Sequence, residues 1–132
     1  MKKLFYPAIF HAAEEGGYWI TFPDFEWCAT QGKDTEEAYA MAWEVLGIGV
    51  EDCIKKNMEL PVPSKVEDIE LDQESVIVII EFDYEEFRKK YCSKAIKKTL
   101  TIPQWLNEEA TAMGVNFSQV LQEALLQKIR LK

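Results

Sequence analysis

Five consecutive β-branched residues, Val76-Ile77-Val78-Ile79-Ile80, constrain this chain more than any other stretch. Branching at Cβ stiffens χ1 and disfavours a helix, and a short apolar run without polar alternation fits a strand buried on both faces. The run is therefore expected in the middle of a sheet. It is far below the roughly 18 apolar residues that a membrane-spanning helix needs, and the N-terminus lacks the apolar core of a signal peptide. Neither secretion nor membrane insertion is expected, and the cytosol is the default compartment. With 132 residues, 48% hydrophobic and 29% charged, the chain has material for one domain or two small ones and does not read as disordered.

The residues before this run supply its neighbours. Lys3 to Ala13 mixes aromatic and β-branched residues and ends at Glu14-Glu15-Gly16-Gly17, a hairpin turn. Tyr18 to Phe22 is the return strand, broken by Pro23-Asp24, and a third strand around Cys28 to Gln31 ends at Gly32. Asp34, with Glu37 three places on, resembles a capping box and opens a helix over about Thr35 to Lys56. At 100° per residue Ala38, Tyr39, Ala42, Trp43, Val45, Leu46, Val50 and Cys53 share its buried half. Gly47 and Gly49 inside it point to close backbone packing or a bend. Leu60 to Glu74 reads as a loop and acidic connection, and Asp83 caps a short helix in which Tyr84, Phe87 and Tyr91 share a face.

From about Ser93 the pattern changes. Ile96, Leu100 and Ile102 alternate with Lys97, Thr99 and Thr101, predicting a short strand with one apolar and one hydrogen-bonding face. Pro103 starts a helix to Met113, Gly114 stops it, and Asn116 caps a second helix with the stripe Phe117, Val120, Leu121, Ala124, Leu125 and Ile129. A strand and two helices cannot bury both stripes alone, so residues 93–132 are expected to form a homodimer. Charge divides at the same place. Residues 1–92 carry 9 Lys/Arg against 20 Asp/Glu, a net −11, and residues 93–132 carry 6 against 3, a net +3. An acidic body suits a basic protein and a basic tail suits an anionic polymer.

Catalytic signals are sparse. The sequence has no Walker loop, GxGxxG or HExxH, and its only histidine, His11, has no recognisable nucleophile motif beside it. Cys28, Cys53 and Cys92 lack CxxC spacing and read as small buried hydrophobes. No catalytic set, metal or cofactor is expected. The enzymatic alternative is a metal-dependent nuclease using Asp24 and Glu36, although turn chemistry and the helix dipole already account for both. The alternating strand is the most specific feature: paired antiparallel with its copy, it would enter a DNA major groove. Lys97, Thr99 and Thr101 are the base-contacting candidates, and Lys94, Lys98, Asn116, Phe117 and Ser118 the phosphate-contacting ones.

Lys97-Lys98-Thr99-Leu100-Thr101-Ile102-Pro103, with Leu106, Ala110, Met113-Gly114-Val115-Asn116 and Ser118, resembles a ribbon–helix–helix DNA-binding domain. Tyr6-Pro7-Ala8-Ile9, Gly16-Gly17-Tyr18, Phe22-Pro23-Asp24-Phe25, Cys28-Ala29-Thr30-Gln31-Gly32 and Thr35-x-Glu37-Ala38 are similar to the N-terminal domain of HicB antitoxins. Trp27 stands where that family commonly has a glycine before the cysteine. The resemblance implies an α+β protein: a β-β-β-α-β, degenerate ribonuclease H-like domain over residues 1–92, then a β-α-α ribbon–helix–helix domain over 93–132. It implies a HicA toxin partner, a small basic ribonuclease acting on mRNA, and repression of its own operon through operator double-stranded DNA. Asp24, Phe25, Glu26 and Trp27, an aromatic pair flanked by carboxylates, are the candidate toxin contacts. A stand-alone ribbon–helix–helix regulator is the other alternative.

Overall fold

The computed structural model describes residues 3–130, which fall into two compact units parting between Lys94 and Ala95. The first unit holds four strands, β1 (Leu4–Ala12), β2 (Tyr18–Phe22), β3 (Phe25–Gly32) and β4 (Ser75–Phe82), with helices α1 (Thr35–Lys55) and α2 (Tyr84–Tyr91). All strand pairings are antiparallel, in the order β3-β2-β1-β4. The third strand starts three residues earlier than its sequence signals indicate, because Phe25 pairs with Phe22 across a bulge at Thr21/Phe22.

The Val76–Ile80 run lies in β4, at an edge and not in the middle of the sheet. Val76 and Ile79 are 54% and 43% exposed. The central strand is β1, although it contains Pro7. Its missing N–H is harmless there: Ala12 N–H bonds to Glu74 of the β4 side, so by alternation odd residues of β1 turn toward β2, whose pairing reaches only as far as Ile9↔Thr21.

Helix α1 covers one face of the sheet. Asp34 accepts a hydrogen bond from Glu37 N–H (2.8 Å), and Glu37 Oε1 in turn accepts from Lys33 N–H (3.1 Å), one residue before the position that the capping box uses. Ala38, Ala42, Leu46, Val50 and Cys53 pack on Tyr6, Ala8, Phe10, Ile20, Phe22, Ile80 and Phe82. Trp43 and Val45 are partly buried against the same core, whereas Tyr39 is exposed and its hydroxyl accepts a hydrogen bond from Glu81 N–H (3.3 Å). Cys28 and Cys53 are buried but Cys92 is exposed, at the C-cap of α2, because the helix face that packs inward carries Phe87. Burial pushes the Cys28 thiol up to about 11.

The two helical glycines mark close approaches. A Cβ on Gly49 would stand 2.9 Å from Cys28 Sγ, and one on Gly47 would overlap the Phe87 ring. That ring is held by Trp43, Phe82 and Tyr91 at centroid distances of 5.7, 5.6 and 4.8 Å.

The second unit contains α3 (Gln104–Ala112) and α4 (Phe117–Arg130). Gly114 at φ 72° ends the first, and Asn116 Oδ1 accepts from Gln119 N–H (3.1 Å) at the start of the second. The strand expected over Ile96–Ile102 is not formed in the single chain. A strand is defined by its ladder, and among the described residues of this unit there is no second strand to pair with.

Gly47→Ala should destabilise the protein by about 1–2 kcal/mol, the overpacking of Phe87 outweighing the better helix propensity of alanine. Equilibrium urea unfolding checks it; an unchanged or raised midpoint would contradict the close α1–α2 approach. Thiol labelling of the native protein should modify Cys92 quickly and spare Cys28 and Cys53, as read by mass spectrometry.

Candidate functional site

Two surfaces carry the candidate residues. On the first unit it is the sheet face turned away from α1. Alternation and register place Trp27, Ala29 and Gln31 of β3, Trp19 and Thr21 of β2, Phe5, Ile9 and His11 of β1, and Ile77 and Ile79 of β4 on this one face. Trp19 and Trp27 are about half exposed (48% and 57%), an unusual state for the largest apolar side chain.

Of the four residues expected to face a toxin, the structure keeps two on the surface. Glu26 and Trp27 are exposed. Phe25 is not: it is 3% exposed and makes an edge-to-face contact with Tyr6 at 4.9 Å, because the bulge turns it to the core side. Asp24 is a clamp, its two carboxylate oxygens accepting from Ser64 N–H (3.0 Å) and Ser64 Oγ–H (2.6 Å). Tyr6 does the same upstream, donating its hydroxyl to Pro61 C=O at 2.6 Å, and burial raises its pKa. These bonds fix the start of the connection that leads from α1 to β4. The connection lines a shallow cavity of about 390 Å³ with Ile9 and Thr21 through Ser64, Lys65, Asp68, Ile69 and Glu70. Its carboxylates Asp68 and Glu70, with Lys65 beside them, thus stand next to the sheet face.

Asp24 is therefore committed to Ser64, while Glu36 is an exposed residue in the first turn of α1. Among the described residues no three His, Cys, Asp or Glu side chains converge as a metal-binding group.

Trp19 was not among the expected contacts, though its alternation with Ile20 gave the signal. It stacks on His11 at 3.6 Å and 9° between planes. His11 has two further partners: Nε2 lies 2.9 Å from Thr21 Oγ1 and Nδ1 lies 3.1 Å from Ser75 Oγ, while Ser75 donates to Asp72 Oδ1 at 2.7 Å. The single serine proton is spent on Asp72, so Ser75 accepts from His11 Nδ1–H and His11 Nε2 accepts from Thr21. The chain Thr21–His11–Ser75–Asp72 ties three strands to the connection, and no sequence motif announced it. Burial lowers the His11 pKa, with Asp72 opposing weakly. Asp72 is itself lowered by the Ser75 hydroxyl and then by Glu74 N–H.

Lys94, the last residue of the first unit, and Lys97, Lys98, Thr99, Thr101, Asn116, Phe117 and Ser118 of the second are all exposed. Lys97, Thr99 and Thr101 lie in a segment without strand pairing, and Asn116, Phe117 and Ser118 form the start of α4. The same unit has an apolar groove of about 590 Å³, lined among others by Leu100, Ile102, Leu106, Phe117, Val120 and Leu121. None of its helix residues is buried.

The fold and its surfaces define an α+β protein with an acidic unit bearing an aromatic sheet face and a separate helical hairpin with an uncovered apolar groove. Residues 6–125 match the family model described as HicB-like antitoxin of bacterial toxin–antitoxin systems, and the chain belongs to that family. Antitoxin HicB 1 of Photorhabdus laumondii is 38% identical over 66 residues, half of this chain, which spans only 43% of that relative's length. A chain of the solved toxin–antitoxin complex from Streptococcus pneumoniae is 37% identical, with TM-score 0.61 over 96% of this chain and 99% of that one. The crystal structure of antitoxin HicB3 is 30% identical, with TM-score 0.52 over 96% and 98%. No helix among the described residues is long and apolar enough to cross a membrane.

The depressed His11 pKa has a signed consequence. A group neutral in the folded state and titrating near 6.5 when unfolded contributes stability that is present above pH 6.5 and lost as pH falls toward the folded pKa. Thermal melts should therefore decline from pH 7 to pH 5 in the wild type, with a smaller decline in His11→Gln. Parallel declines would show that the loss comes from carboxylates instead.

Proposed function

We propose that this protein is the antitoxin of a HicA/HicB-type pair acting in the cytoplasm. Its N-terminal unit covers a HicA-type mRNA interferase, and its C-terminal unit dimerises and binds operator DNA to repress the operon. The observation that carries the first role is whole-chain likeness: 37% identity over 96% of this chain and 99% of its counterpart in a toxin–antitoxin complex. Charge supports it, since residues 1–92 are strongly acidic and the toxin of such a pair is basic. The toxin-facing residues are then Trp27 and Glu26 with Trp19, an aromatic anchor inside a carboxylate rim.

For the second role the supporting observation is the uncovered groove. Leu100, Ile102, Leu106, Val120 and Leu121 cannot stay in water as one patch, and a second copy supplies both the missing side chains and the missing strand. In this reading residues 93–132 are a ribbon–helix–helix domain, and residues 1–92 a degenerate ribonuclease H-like one. Two copies of the Ile96–Ile102 segment pair antiparallel. Their apolar residues turn inward, and Lys97, Thr99 and Thr101 turn outward to base edges. The start of α4 and Lys94 and Lys98 hold phosphate.

Titration calorimetry of the full chain against a HicA-type toxin tests the first role; absence of binding would remove it. Trp27→Ala should weaken that complex about thirtyfold or more, the loss of roughly 2 kcal/mol typical of an aromatic anchor. Leu121→Asp should abolish the C-terminal dimer, burying a charge at a cost of several kcal/mol. In anisotropy titrations Thr99→Ala should lose affinity for the promoter's inverted repeat only, by about 1–3 kcal/mol. Lys94→Ala should weaken all sequences alike and flatten the salt slope by about one unit per lost contact. Equal losses in both variants on random DNA would mean that the strand grips only the backbone.

A further inference from the structure

The excess of base is concentrated in eleven residues and does not extend over the C-terminal third of the chain. Residues 1–87 hold 6 Lys/Arg against 20 Asp/Glu, a net −14, and residues 99–132 hold 3 against 3. Between them Arg88, Lys89, Lys90, Lys94, Lys97 and Lys98 stand in a run without a carboxylate, a net +6. This run crosses the division of the two units at Lys94 and Ala95, so its first cations belong to α2 of the acidic unit. All six residues are exposed. Phe87 takes the inward direction of α2, and the next three residues, about 100° apart, fan over the rest of its circumference. Arg88 lies over the Tyr84 ring at 5.9 Å, and Lys90 over Trp43 and Tyr91 at 5.6 and 5.5 Å, contacts that orient the charged heads without neutralising them. Lys89 has only an exposed pair with Glu85 at 3.4 Å, which is worth little, and the other five form no ion pair among the described residues. The dipole of α2 favours cations in its last turn and so accounts for Arg88 to Lys90. It does not reach Lys94, Lys97 or Lys98, nor does it explain a stretch without acid directly after twenty carboxylates.

Cations in line with no counter-charge fit a regularly spaced polyanion. We propose that Arg88 to Lys98 is one phosphate-binding track for duplex DNA, in which Arg88, Lys89 and Lys90 carry the contact onto α2 of the acidic unit. The inference rests on the reading of the C-terminal unit as a DNA-binding domain and adds a surface to it. Continuity identifies the occupant, because Lys97 and Lys98 of the run open the alternating segment that ends at Pro103. From Cys92 to Lys98 an extended chain reaches about 20 Å, more than half of the roughly 34 Å turn of a duplex. The α2 cations can therefore meet phosphates outside the bases that Lys97, Thr99 and Thr101 would contact. Electrostatics supplies the need. A body of net −14 repels phosphate, and cations at its junction with the DNA-reading segment oppose that repulsion where it acts. Tyr91 and Ile96 are the only large apolar residues in the run, too few to insert into a lipid surface or to stack successive bases of a single strand. The contacts go to the backbone alone, so they add affinity without adding preference for a sequence.

The test is anisotropy titration of the full chain with two duplexes, the promoter's inverted repeat and a random sequence, between about 50 and 200 mM salt. Arg88→Gln combined with Lys89→Gln should weaken both duplexes alike, about tenfold or more at low salt, and flatten log K against log salt by about 0.9 unit per lost phosphate contact. The charge-matched pair Lys33→Gln and Lys65→Gln, exposed but outside the run, should leave the slope unchanged. Arg88→Lys combined with Lys89→Arg keeps both charges and should bind as the wild type does. An unchanged slope in the α2 pair, or equal flattening in the charge-matched pair, overturns the proposal. The two readings fail separately. If Thr99→Ala loses preference for the repeat while the α2 pair keeps the wild-type slope, the C-terminal reading stands and the track falls. A flattened slope in the α2 pair of a chain that shows no preference for the repeat keeps the track and removes operator recognition.

Discussion

The arrangement of the first unit depends on how closely α1 can lie against its neighbours. Gly49 lets the helix backbone settle over Cys28 of β3, and Gly47 lets the Phe87 ring of α2 sit against it. Any side chain at either position would hold the layers apart, and the small residues Ala38 and Ala42 keep the same spacing nearer the N-terminus of the helix. Because the layers meet so closely, the core is made of few, large contacts: Tyr6, Phe22, Phe82, Ile20 and Leu46 are fully buried. Neither α1 nor α2 covers the opposite sheet face, on which Trp19 and Trp27 stand half exposed.

Charge and burial divide the chain in the same way. The unit with a finished core carries nearly all the acid, while the unit with no buried helix residue carries the excess of base. A finished acidic fold can meet a basic partner as a rigid body. The basic hairpin has no buried helix residue and leaves its apolar groove uncovered in the single chain.

Local signals were legible where the physics is local. Asp34, Asp83, Asn116 and Gly114 each took the capping or stopping role that their chemistry announces, and helical spacing identified the buried stripe of α1. What the sequence concealed depends on distant pairing. Val76–Ile80 looked central because composition reports burial and not strand order, and Phe25 looked exposed because a one-residue bulge reverses the side to which it points. The clamps Asp24–Ser64 and Tyr6–Pro61 span 40 and 55 residues, and the His11 network joins three strands. No window along the chain contains such partners together. The strand expected over Ile96–Ile102 is absent from the single chain because alternation marks only a capacity to pair, and no second strand stands beside it among the described residues of this unit.

The position of β1 fixes an order of assembly. Its hairpin with β2 closes within a few residues, but its other side waits for β4, with partners 64 to 78 positions away, from His11↔Ser75 to Leu4↔Phe82. Ordering so long a loop is slow compared with closing a hairpin. On a ribosome, Tyr6, Ala8 and Phe10 would remain without Ile80 and Phe82 until about two thirds of the chain has been made. The acidic connection spends that interval in solvent. The nascent sheet therefore matures late, and the basic hairpin emerges only after the acidic fold that precedes it has everything it needs to close.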